Sequence, residues 1–167
     1  MSVTVAVRSY THSVTYVTDN ILKSFKDIIR LSGLDPDKFV NLWDVLHRGI
    51  RTWIESQHLE RIILEVYDHQ NGALLGRWDV EVSYGWTSGD GEFWVDTDAI
   101  RSAIAKAGVH PGTAEYAVKV TRKSGFSAVD GWSSTTLRST TGLVEQHLGT
   151  TVDGSGLSGG FSYYRRV

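Results

Sequence analysis

No cysteine occurs among the 167 residues, which excludes disulfides and thiolate metal sites and fits a reducing compartment. Neither sign of charge dominates: 17 Lys and Arg stand against 19 Asp and Glu, so nothing draws the chain globally to nucleic acid or an anionic membrane. Long apolar runs are missing as well. The start, "MSVTVAVRSYTHS", has no charged region leading into a sustained apolar stretch, and no run reaches bilayer-spanning length. A cytosolic protein is expected. The length implies a single domain with a real core.

The usual catalytic signatures are also lacking. The histidines, His12, His47, His58, His69, His110 and His147, form no H-E-x-x-H and no pair at metal-ligand spacing. No G-x-S-x-G nucleophile elbow is present. Asp90, Glu92, Asp96 and Asp98 crowd one loop but miss the EF-hand spacing, so loop polarity and a helix cap explain them better. A small metal-dependent enzyme using this 88–98 loop is the alternative reading. Gly154, Gly156 and Gly159 spell G-x-G-x-x-G, yet too little chain follows them to form the helix that a dinucleotide loop needs. No catalytic residue, metal or cofactor is assigned.

What is present is periodicity. Val3, Val5 and Val7 alternate in a short strand. Val14, Val17, Ile21, Phe25 and Ile28 then recur at helical spacing, with Ser13 as candidate N-cap and Gly33 as stop. Asp35 and Pro36 open a second helix whose stripe, Phe39, Trp43, Leu46, Ile50 and Trp53, runs to about Glu55. Ile62, Leu64 and Val66, a turn at His69 to Gly72, and Trp78, Val80, Val82, Tyr84 and Trp86 read as a hairpin. Its second strand should turn Arg77, Asp79 and Glu81 to solvent. A brief strand at Phe93 to Val95 precedes a third helix, capped by Asp96 and ended by Gly108; Tyr116, Val118 and Val120 form a further strand. From Gly125 no period lasts, but Phe126, Trp132, Leu137, Leu143, Val144, Leu148, Leu157, Phe161, Tyr163 and Tyr164 are too many large side chains for a solvated linker. This tail must dock.

Three stretches carry a family resemblance: "YTHSVTYVTDNILKSFKDIIRLSGLDP", "RWDVEVSYGWTSGDGEFWVDTD" and "GWSSTTLRSTTGLVEQHLGTTVDGSGLSGG". The chain resembles the bacterial HORMA-domain proteins of CBASS antiphage systems. The resemblance implies an α+β HORMA fold, three helices on a mainly antiparallel sheet, with a core at 1–124 and a mobile C-terminal safety belt at 125–167. It implies a cytoplasmic, non-enzymatic adaptor whose belt closes over a closure-motif peptide, from a phage protein in this setting. The closed form would activate a cGAS/DncV-like nucleotidyltransferase, and a Pch-type AAA+ ATPase would reopen it. Carried onto this sequence, the peptide residues are Tyr116, Val118, Val120, Trp132, Leu137, Leu143 and Val144. The ATPase handle is Ser2, Val3, Thr4 and Val5 within an arm that runs to Tyr10.

Overall fold

The computed structural model describes residues 9–87 and 92–166. The valine strand expected at 2–7, the handle Ser2, Val3, Thr4 and Val5, and Asp90 lie outside that range. The first apolar stripe forms α1, Tyr10–Leu31, which buries Val14, Val17, Ile21, Phe25 and Ile28. Its cap is Ser9, not Ser13. The Ser9 hydroxyl accepts from the His12 amide while His12 Nδ1 accepts from the Ser9 amide, a capping box that starts the helix one turn early. Ser13 is instead buried in the helix and accepts from the Trp86 indole at 2.9 Å. Gly33 ends the helix as expected, with φ of 88°.

The second stripe is two helices rather than one. α2, Asp37–Asn41, and α3, Trp43–Glu55, part at Leu42, whose ψ of 2° leaves the helical range. Asp35 still serves the entry, its carboxylate accepting from the Asp37 amide at 2.9 Å. β1, Leu59–Tyr67, and β2, Leu74–Tyr84, form the expected hairpin with Leu64 opposite Trp78. Asp68 closes its turn by accepting from the Gln70 and Asn71 amides. β3 is Phe93–Val95, α4 is Thr97–Ala107 with Asp96 as N-cap and Gly108 as stop, and β4 is Glu115–Arg122.

The last quarter departs from its sequence pattern by holding two long strands, β5, Leu143–Gly154, and β6, Leu157–Arg166. In β6 the buried positions alternate as Leu157, Gly159, Phe161 and Tyr163, and the glycine hides the period. A Cβ on Gly159 would stand 2.9 Å from Val80 and Val152, so the slot tolerates no side chain. The turn between the strands is Ser155 and Gly156, with φ of 57° and 96°. Two positive values are what a tight primed hairpin turn needs, so the glycine fingerprint serves a turn and a close strand approach.

Every pairing among the described residues is antiparallel, and the sheet order is β3-β5-β6-β2-β1-β4. One core cluster joins all four helices to one sheet face. The opposite face corrects an expectation: Arg77 and Asp79 are only 5% exposed each, not solvent-facing. Arg77 grips Asp79 through two 2.7 Å hydrogen bonds and lies over the Tyr164 ring from β6, which shields the pair. Chain between β4 and β5 also crosses this face, with consequences for the site.

Candidate functional site

β4 is the edge strand beside β1, and its outer edge pairs with no strand among the described residues. Its side chains split as the pleat requires: Tyr116, Val118 and Val120 share the helix-facing side with Leu64 and Ile62, while Ala117 and Lys119 take the other. The Tyr116 carbonyl accepts from Lys38 Nζ at 2.8 Å, whereas the Lys123 amide donates to His58 next to β1. By alternation the main-chain groups of Val118 and Val120 point away from β1, toward the edge that no strand pairs among the described residues. Tyr116 is fixed between elements, its hydroxyl accepting from the Phe39 amide and donating to Asp35 O. Burial pushes its pKa up, against the Phe39 hydrogen bond, so it stays a neutral donor.

A cleft of about 290 Å³ lies along this edge. One wall is Phe39, Leu42, Val45 and Leu46; the floor is Tyr116, Val118 and Lys119; the far wall is Gly131, Trp132, Ser133 and Thr135. The break at Leu42 sets α2 and α3 at the angle that forms the first wall. The far wall is held by Trp132, whose indole donates to Val45 O at 2.9 Å and packs edge-on to Trp53 at 5.0 Å. Its seat exists because position 49 is glycine: a Cβ there would stand 2.2 Å from Trp132 Nε1. Trp53 also donates to Ser127 O and meets Phe126, so one fully buried core indole receives three points of the segment.

From Trp132 the chain rounds the outer edge of β4 and lands on the opposite sheet face. There Thr136 O accepts from Lys119 Nζ, and Arg138 reaches Glu65. Glu65 is 0% exposed and accepts from Lys119 at 2.6 Å, from the Arg138 guanidinium at 2.7 Å and from the Arg138 amide at 2.8 Å. Burial alone would raise its pKa, but these donors outweigh it and hold the carboxyl below the ordinary range. Arg138 further donates to Gly72 O and lies 3.5 Å over the Tyr67 ring. Beyond it, the β5–β6 hairpin docks on β2, with Tyr163 stacked on Trp78 and Phe161 edge-on to Phe25.

The structure places Tyr116, Val118 and Trp132 in the cleft. Val120 lies further along the same strand face, packed on the core. Leu137 is part-exposed between Thr136 and Arg138; Leu143 lines a separate depression with Arg138 and Arg166; Val144 is exposed on β5. Lys38, Leu42, Val45, Gly49, Glu65 and Arg138 are site residues that the sequence reading does not single out. Two left a signal: a glycine inside a helical stripe, and a carboxylate inside the apolar run "IILEVY". Of the acidic loop, Asp96 is occupied as the α4 cap and binds the Ala99 amide. Among the described residues no three His, Cys, Asp or Glu side chains group as metal ligands.

A family model described as bacterial HORMA domain 2 matches residues 2–167. The chain belongs to this bacterial HORMA family. No curated protein matches it by sequence. Solved structures share its fold. C. elegans HTP-1 bound to the HIM-3 closure motif aligns with a TM-score of 0.70 and 11% identity, over 95% of this chain and 92% of that one. A chain of the mitotic checkpoint complex gives 0.69 and 12%, over 90% and 98%. A chain of the E. coli MS115-1 CdnC:HORMA-deltaN complex gives 0.58 and 11%, over 99% and 94%. The HORMA fold therefore accounts for the sheet, the helix layer and the crossing segment. No described helix is long and apolar enough to cross a membrane.

Proposed function

We propose that this HORMA domain is a peptide-binding adaptor of a CBASS antiphage system. A closure-motif peptide adds a strand to β4 beneath the belt, and the closed form binds and activates a cGAS/DncV-like nucleotidyltransferase. A Pch-type AAA+ ATPase engages Ser2, Val3, Thr4 and Val5 and reopens the belt. One observation carries the reading: a strand edge unpaired among the described residues lies along a cleft whose far wall is Gly131 to Thr135 of the C-terminal segment. Such an edge offers main-chain hydrogen bonds to any extended chain, and flanking pockets supply selectivity. The likeness to HTP-1 bound to a closure motif and to the CdnC:HORMA-deltaN complex supports the same reading. It assigns the domain no chemistry of its own.

Val118→Pro tests it. Proline removes the outward amide, and an edge strand tolerates that loss because the amide has no ladder partner. Peptides selected from a random library on the wild-type chain are expected to lose at least tenfold in affinity for Val118→Pro, while its circular dichroism stays unchanged. Equal binding by both proteins would move the ligand away from β4. Removing residues 1–8 is expected to leave peptide binding intact and abolish ATPase-driven release.

A further inference from the structure

We infer that the cleft selects an extended peptide carrying a large apolar side chain and a carboxylate two residues apart, with the carboxylate meeting Lys38. The inference rests on the adaptor reading and specifies its ligand. Val118 and Tyr116 both point to the helix layer, so ligand residues paired opposite them point there too. The ligand side chain opposite Val118 faces Phe39, Leu42, Val45 and Leu46. Leu42 is 41% exposed, an apolar surface ready for cover. The intervening ligand residue turns to Ala117, Lys119, Ser133 and Thr135, a small and polar surface that asks for nothing large.

Opposite Tyr116 the chemistry changes. Among the described residues, two lysines line the cleft and no carboxylate does. Lys119 is held on the opposite sheet face by Glu65 at 2.6 Å and by the Thr136 carbonyl, but Lys38 forms no ion pair among the described residues. Its ammonium donates to the Tyr116 carbonyl at 2.8 Å and lies 5.3 Å from that ring's centroid, leaving further N–H donors free. Asp35 and Asp37 are the acidic residues nearest to it in sequence; the Asp35 carboxylate accepts from the Asp37 amide, and neither pairs with Lys38 among the described residues. Lys38 already donates to the outward Tyr116 carbonyl and places its ammonium where an incoming amide would approach. The added ladder ends at Val118, and an acceptor of negative charge is the group that fits the next position.

The test uses random dodecapeptides with free carboxyl termini, selected on the full chain and then measured individually by fluorescence anisotropy. Selected sequences are expected to hold an apolar residue and an acid two apart, or an apolar residue two before a free C-terminus. Neutralising the carboxylate should weaken binding about fivefold, the effect of a partly shielded ion pair. Lys38 is exposed, so its variants fold: Lys38→Met should erase the difference, and Lys38→Glu should reverse it in favour of lysine. A loss on amidation alone assigns the carboxylate to the peptide terminus; a loss on Glu→Gln alone assigns it to a side chain. Selected peptides that bind wild type and Lys38→Glu equally, yet fail on Val118→Pro, overturn the inference and leave the adaptor reading standing. Indifference to Val118→Pro removes both. Self-association of the chain that Val118→Pro abolishes would put a second copy in the cleft and overturn the inference too.

Discussion

Gly49 illustrates how single residues decide whether the segment after β4 docks. Alanine is favoured over glycine inside a helix by about 1 kcal/mol, so Gly49→Ala should strengthen α3 in isolation. Its Cβ would nonetheless collide with the Trp132 indole. The variant is expected to keep its helical circular dichroism while the segment 125–142 becomes at least tenfold more susceptible to protease; unchanged cleavage would show that Trp132 has another seat. Glu65 is the second such residue. Its folded pKa is lowered, so its contribution is complete above the ordinary carboxylate value near 4.3 and is lost as pH falls through the folded value. Belt amide protection should therefore hold from neutral pH to about 4.3 and decline only in more acid solution. Glu65→Gln, which breaks a buried pair and strands Lys119, should cost about 3 kcal/mol of belt docking already at pH 7. Glu65 and Gly49 are conspicuous in the sequence by type, but their partners lie 73 and 83 positions away. No local pattern connects such pairs.

At the scale of elements, legibility follows the driving force. α1, β1, β2, α4 and β4 each place apolar residues in register with their own period, and each stands close to where the sequence puts it. The split at Leu42 is invisible because the stripe of Phe39, Leu46 and Ile50 continues across it; the backbone turns while the apolar face persists. β6 is hidden for the opposite reason. Gly159 supplies the close approach between strands and withholds the side chain that would reveal the alternation. Gly159→Ala is therefore expected to overpack against Val80 and Val152 and to cost about 1–3 kcal/mol. Hydrogen exchange should show protection lost in 143–166 and retained in β1; loss in both would mean that hairpin and core unfold as one unit. The burial of Arg77 and Asp79 escaped the alternation of β2 because their cover, the Tyr164 ring, comes from the far end of the chain.

Across the whole molecule, the hold on the C-terminal segment is distributed along its path. Trp53 holds Ser127 and Trp132 on the helix side, Glu65 holds Arg138 on the other, and Trp78 and Phe25 receive the hairpin. Trp53, Trp78 and Phe25 are thus both core residues and receptors of the C-terminal segment. The α+β class and the docking tail were legible, because composition and period are properties of a stretch. The route of residues 123–142 around the β4 edge was not, because it depends on which distant surfaces the tail meets.

Under the proposed function, that route closes a ring around a peptide on β4. A guest held inside a ring leaves when the clasp parts, whatever the strength of its own contacts. Dissociation rates measured for a tight peptide and for one a hundredfold weaker should then converge, with the affinity difference residing in capture. Loosening the clasp through Arg138→Ala should speed both departures by a common factor.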